Sequence, residues 1–222
     1  MLTIDIYSEI CYNNFVWGNS IPIAENDERI CEMQMNEQFT ILKSGAEVRS
    51  RIRELAAEIS ADYAGITAES PLLLLCTLSG AVFFSADLVR ELTVPCEINF
   101  LKVHSYQGIR PAGSPIFDLG ENIDVRGRHV LIVEDIVDTG QTMHTVMQNF
   151  TDKGAADIRI CTMLDKPSRR YPQLKDLVIP DYTGFEIEDL FVIGWGLDYN
   201  QKYRLLPDIM VYHPEAENGK EQ

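Results

Sequence analysis

The 222-residue sequence predicts an α/β protein, with a mostly parallel sheet flanked by helices and a small additional lobe near the C-terminus. Two observations carry that expectation. Short apolar runs of strand length recur at 71–77, 96–103, 130–133 and 158–164. Stretches of helical periodicity lie between them, and strands alternating with helices close into a parallel sheet covered on both faces.

Residues 1–38 are polar, acidic and without clear period, and read as an N-terminal extension of unassigned role. A lineage-specific addition, a partner-binding arm and an upstream start with the true start at Met33 or Met35 all remain open. Ser44-Gly-Ala-Glu47 is a capping box, followed by Val48, Ile52, Leu55, Ala56, Ile59 and Tyr63 on one helical face. Residues 71–77 read as a buried strand, and 80–92 as a helix whose apolar surface is Val82, Phe83, Ala86, Leu88, Val89 and Leu92. A strand at 96–103 leads into a polar loop from His104 to about Leu119. Val130–Val133 is β-branched and apolar, and 141–153 is helical with Met143, Val146, Met147 and Phe150 at helical spacing. Strands follow at 158–164 and 176–179. The aromatic-rich segment 184–213 forms a small lobe with part of the N-terminus, and 214–222 is a tail. No internal repeat or low-complexity tract is present.

The most informative stretch is His129-Val-Leu-Ile-Val-Glu-Asp-Ile-Val-Asp-Thr-Gly-Gln-Thr142. Two carboxylates, Glu134 and Asp135, stand where the strand is expected to end. A loop follows with Asp138, Thr139, Gly140, Gln141 and Thr142, then a helix start. Ligands of open α/β sheets sit at the carboxyl ends of strands. Unpaired N–H groups and the positive end of a helix dipole suit a phosphate there. Gly140, lacking a Cβ, permits close backbone approach. Glu134 and Asp135 would repel a phosphate but can accept hydrogen bonds from a vicinal sugar diol. The loop is therefore shaped for a phosphorylated sugar. Its spacing is not that of a P-loop, and no Gly-x-Gly-x-x-Gly follows a strand.

This stretch resembles the phosphoribosyl-pyrophosphate signature of type I phosphoribosyltransferases, in the form found in the hypoxanthine-guanine (6-oxopurine) enzymes. Three further segments, Leu78-Ser-Gly-Ala81, Leu164-Asp-Lys-Pro-Ser-Arg-Arg170 and Gly184–Arg204, extend the resemblance from about Phe39 to about Met210. The resemblance implies the type I phosphoribosyltransferase fold over 39–213, with the C-terminal segment as its hood. It also implies transfer of phosphoribose from phosphoribosyl pyrophosphate to hypoxanthine or guanine. Two alternatives stay open: a xanthine-preferring or broad 6-oxopurine enzyme, and a non-catalytic sensor of phosphoribosyl pyrophosphate.

By the same resemblance, Glu134 and Asp135 hold the sugar hydroxyls, and Asp138 through Thr142 hold the 5-phosphate. Asp138 is the implied proton acceptor at N7 of the base. Leu78, Ser79 and Gly80 form the pyrophosphate loop, with a cis bond at Leu78–Ser79; Ser79 and Gln141 stand where some relatives carry Lys. Ser105 and Tyr106 begin a lid, although the Gln-Gly-Ile-Arg-Pro run after Tyr106 departs from the common pattern. Lys166 donates to the 6-oxo group, Phe191 stacks on the base, and the Val192 backbone reads its edge. Arg169 and Arg204 approach the pyrophosphate, and Asp198, with Glu134 and Asp135, holds a Mg²⁺.

Bulk properties agree. A net charge of −15 argues against a nucleic-acid footprint, and a polyanionic substrate would need a cation such as Mg²⁺ to mediate contact. Five scattered cysteines without a Cys-x-x-Cys pair fit a reducing cytoplasm. The first 19 residues lack a basic n-region, and no apolar run is long enough to span a bilayer. The expected partners are small-molecule substrates and other copies of the chain, with neither nucleic acid nor membrane.

Overall fold

The computed structural model describes residues 39–104, 116–118 and 123–213. The extension at 1–38, the lid residues Ser105 and Tyr106 and the tail at 214–222 lie outside the described residues. Strand β1 (Phe39–Lys43) leads to helix α1 (Gly45–Asp62), then β2 (Leu72–Leu78), α2 (Val82–Glu91) and β3 (Cys96–His104). A short β4 (Ile116–Asp118) precedes β5 (His129–Val137), α3 (Gln141–Asp152), β6 (Asp157–Asp165) and β7 (Tyr182–Glu186). β8 (Val192–Ile193) and β9 (Ile209–Tyr212) complete the series.

The main sheet runs β4-β3-β2-β5-β6-β7, with β4 antiparallel and the other five parallel. β2 is buried from Leu72 to Thr77, as expected of a central parallel strand covered on both faces. Leu74 and Cys76 face α1 and α2, packing with Ile52, Leu55, Phe84 and Leu88. Leu73 and Leu75 face α3, packing with Val130, Ile132, Met143 and Phe150. Each fully buried Leu contributes about 1.5–3 kcal/mol. A separate three-stranded sheet, β1-β9-β8, forms the small lobe around Phe39, Ile193, Leu206 and Met210.

The capping box is formed as expected: the Ser44 hydroxyl accepts from the Glu47 amide, and the Glu47 carboxylate accepts from the Ser44 amide at 2.8 Å. Four details differ from the sequence expectation. β5 does not stop at Glu134 and Asp135 but pairs with β6 as far as Val137↔Asp165. The buried face of α2 is Phe84, Ser85 and Leu88, with Phe83 exposed; these residues follow the helical period from Ala81, while Phe83 lies a helical step away from it. Part of the expected 104–119 loop is strand, because β4 adds to the edge of β3. Residues 176–179 form no strand: Leu177 and Ile179 are exposed, Pro180 follows, and the sheet takes up Tyr182–Glu186 instead, pairing Cys161↔Tyr182.

Candidate active site

β2 continues through α2 to β3 on one side of the sheet, whereas β5 continues through α3 to β6 on the other. The strand order therefore reverses between β2 and β5, and the carboxyl ends of strands at such a reversal are the ligand position of open α/β sheets. Pairing of β2 with β5 ends at Cys76↔Val133, leaving Glu134 and Asp135 as the first residues beyond it.

Glu134 is buried, and the Thr77 hydroxyl lies 3.0 Å from its Oε1 and 3.1 Å from the Val133 carbonyl. Burial, reinforced by the neighbouring Asp135 charge, holds the Glu134 carboxyl well above the usual carboxylate range. A ligand bringing hydroxyl donors or positive charge would relieve that repulsion. Asp135 accepts from the Ile136 amide through one oxygen, and its other oxygen lies against Gly80. A Cβ at Gly80 would stand 1.5 Å from Asp135 Oδ2, so any larger residue would displace the Asp135 carboxylate. The Leu78–Ser79 peptide just before it is cis, as the resemblance implies.

The hood closes on the same loop. Gly196, with φ of 101°, packs so that a Cβ would meet the Gly80 carbonyl oxygen at 2.0 Å. Arg204 donates to the Gly196 carbonyl at 2.7 Å and pairs with Asp198 at 2.7 Å, and Asp198 also accepts from the Gln201 amide. Asp198 and Arg204 are thus linked through Gly196 to the 78–80 loop.

On the other side, Gly140 begins α3 with φ of 82° and no side-chain cap. Arg170, 5% exposed, donates to the carbonyls of Val137 and Asp138 and pairs with Asp165. The Tyr171 amide donates to the Thr139 carbonyl at 3.1 Å. With these carbonyls engaged, the Thr139 and Gly140 N–H groups meet no acceptor among the described residues. Together with the first turn of α3, where Gln141 and Thr142 stand, these N–H groups make an arrangement that suits an anion. A Cβ at Gly140 would come within 2.6 Å of Arg170 Cδ.

Lys166 follows the end of β6 and is buried, its amide donating to the Val137 carbonyl at 3.0 Å and its Nζ to the Leu190 carbonyl at 2.6 Å. Phe191 is half-exposed, its ring set edge-on to Tyr199 at 5.6 Å and to Tyr212 at 6.1 Å. Val192 begins β8 and pairs with Val211, which fixes its backbone. Arg169 pairs with Asp138 at 3.1 Å and with Asp189 at 3.5 Å.

Sequence reasoning missed Arg170, Thr77, Asp189 and Gly196. Arg170 carried a signal as part of a basic run, but nothing local marks it as buried beneath the 137–140 loop. Among the described residues no three His, Cys, Asp or Glu side chains converge to hold a metal. The adjacent Glu134–Asp135 pair nevertheless suits Mg²⁺, which is commonly held by one or two carboxylates together with substrate phosphates. No helix among the described residues is long and apolar enough to cross a membrane.

The sequence profile of the phosphoribosyl transferase domain matches residues 39–202. The chain is 38% identical over 186 residues to the hypoxanthine-guanine phosphoribosyltransferase of Streptococcus pneumoniae, covering 83% of this chain and 98% of that protein. It is 37% identical over 175 residues to the hypoxanthine-guanine-xanthine enzyme of Tritrichomonas foetus, covering 79% and 92%. A structure of Trypanosoma cruzi hypoxanthine phosphoribosyltransferase complexed with IMP superimposes with a TM-score of 0.74 at 37% identity, covering 81% of this chain and 94% of that one. With its switch-point carboxylates, glycine-started helix and antiparallel hood, the chain belongs to the phosphoribosyl transferase family, in its hypoxanthine-guanine phosphoribosyltransferase group.

Proposed function

We propose that the chain transfers the phosphoribosyl group of phosphoribosyl pyrophosphate to N9 of hypoxanthine or guanine, forming IMP or GMP and pyrophosphate. What supports this reading is that three candidate groups stand near the carboxyl ends of the neighbouring strands β5 and β6. The Glu134–Asp135 pair suits the sugar hydroxyls, the Gly140 cradle the 5-phosphate, and Lys166 with Phe191 a flat base bearing an oxo group.

The bond from C1 to pyrophosphate breaks, leaving an oxocarbenium-like sugar that N9 captures. Asp138 accepts the proton that the base gives up at N7. Lys166 donates to the 6-oxo oxygen; adenine, with a 6-amino donor there, would meet a second donor. Phe191 packs on the base face, gaining on the order of 1 kcal/mol beyond its buried area. Arg204 and the N–H groups of the 78–80 loop face the pyrophosphate. The Glu134–Asp135 pair and, separately, Asp198 of the hood would each offer carboxylate oxygens to Mg²⁺, which when bound would neutralise the leaving pyrophosphate. Free Cys76, Cys96 and Cys161 fit a reducing, cytoplasmic setting. Self-association into a dimer or tetramer, which the family resemblance implies, is measurable by sedimentation.

The test is to incubate the protein with phosphoribosyl pyrophosphate and MgCl₂, and with hypoxanthine, guanine, xanthine or adenine in turn. IMP and GMP are expected, with little or no AMP. Efficient xanthine conversion would broaden the base range, and absence of nucleotide from every base would overturn the reading.

A further inference from the structure

Four charged side chains form a continuous bridge beside the base subsite. Arg169 Nε lies 3.1 Å from Asp138 Oδ1, and its Nη1 lies 3.5 Å from Asp189 Oδ2. The other Asp189 oxygen stands 4.0 Å from Lys166 Nζ. The bridge joins the proton acceptor at one end to the oxo-reading ammonium at the other.

We propose that Arg169 and Asp189 are positioning residues for the base. By tying Asp138 to Lys166, they present one proton acceptor and one donor at the spacing required by N7 and O6 of a 6-oxopurine. This rests on the 6-oxopurine transfer proposed above. N7 and O6 lie side by side on one edge of the purine, so the two protein groups that meet them must hold a fixed separation.

Lys166 is anchored by its amide on the Val137 carbonyl and by its Nζ on the Leu190 carbonyl. Asp138 has no comparable anchor. Its side chain is 39% exposed and its described partner is Arg169, so packing alone does not choose its rotamer. A planar guanidinium supplies direction, because its fork fixes the angle between the two carboxylates it joins. Asp189 completes the fork and lies between two cations, Arg169 and Lys166. Bridges this exposed contribute little to stability, so the effect of this one falls on geometry. A pyrophosphate contact by Arg169 would instead act on phosphoribosyl pyrophosphate binding and leave base binding untouched.

The decisive experiment compares Arg169→Ala, Arg169→Lys, Asp189→Asn and the double variant Arg169→Ala/Asp189→Asn with the unaltered enzyme. KM for hypoxanthine, KM for phosphoribosyl pyrophosphate and kcat are measured separately, alongside thermal melting. Arg169→Ala is expected to lose between about tenfold and a hundredfold in kcat/KM for hypoxanthine, as misplacement of a reacting group does. KM for phosphoribosyl pyrophosphate and the melting temperature stay near their starting values. Arg169→Lys restores part of the loss, and Asp189→Asn falls in the same direction. The double variant is no worse than Arg169→Ala, because members of one network are not additive.

A rise confined to KM for phosphoribosyl pyrophosphate would overturn the proposal, as would additive losses or unchanged constants in all variants. If the unaltered protein makes no nucleotide, this inference and the transfer reading fall together. If it is active and the variants match it, only the bridge falls.

Discussion

Replacing Gly80 with alanine perturbs the candidate site at its tightest point. The added methyl would stand 1.5 Å from Asp135 Oδ2 and 2.5 Å from Cγ, where contacts under 3.0 Å are essentially never found. Something must therefore move by about 1.5 Å, given that 3.0 Å limit. The Gly80 backbone has little room, because its carbonyl is pressed by Gly196 of the hood. The Asp135 carboxylate must therefore swing away from the position that suits the sugar diol. Displacement of a reacting or binding group by about 1 Å can cost about a hundredfold, and that is the expected loss in kcat/KM for phosphoribosyl pyrophosphate. Overpacking costs typically 1–3 kcal/mol, so the fold should survive with a lowered melting temperature. Initial-rate measurements of IMP formation at varied phosphoribosyl pyrophosphate, paired with a thermal melt, provide the assay. A Gly80→Ala enzyme with an unchanged KM for phosphoribosyl pyrophosphate would refute the assigned role of the Asp135–Gly80 contact.

Asp138→Asn should keep sugar-pyrophosphate binding, seen by calorimetry, while losing most of kcat; unchanged turnover would remove the acid–base assignment. Arg170→Leu leaves Asp165 buried without its partner and frees the 137–138 carbonyls, so it should destabilise the fold by about 3–5 kcal/mol in denaturant titration. The raised Glu134 carboxyl has a pH signature in ligand-free protein kept in chelator. Because its folded value lies above the ordinary 4.5, its contribution to stability is complete below that pH and is lost as pH rises through the folded value. The melting temperature should carry this decline, and Glu134→Gln should flatten it. Phe191→Ala should raise KM for hypoxanthine while leaving that for phosphoribosyl pyrophosphate in place, and a uniform loss of both would argue against stacking on the base.

The parts of the site that sequence made legible are those built from neighbours along the chain. Glu134, Asp135, Asp138 and Gly140 lie within one strand–loop–helix unit, and the periods of 2 and 3.6 place them at its carboxyl end. Ser44 with Glu47 is likewise a local device and is found as expected. Local patterning failed where several readings were equally apolar. Leu177-Val-Ile179 resembles a strand more than Tyr182–Glu186 does, yet β6 takes the latter, which supplies Gly184 where a Cβ would collide with the Met163 carbonyl at 2.4 Å. On α2 the choice between Phe83 and Phe84 depended on which face the sheet covered.

The amino-acid sequence thus supplied the candidate groups: an acid pair at a strand end, a glycine-started helix, a lysine following a strand and an aromatic in the C-terminal lobe, each lying in a short local segment. Only the tertiary structure decided how these pieces meet. Gly80 lies against Asp135 and beneath Gly196, Arg170 is buried beneath the 137–140 loop, and Arg169 turns to Asp138. These are contacts between residues far apart in the chain. They are set by strand order and close packing, which no local period records.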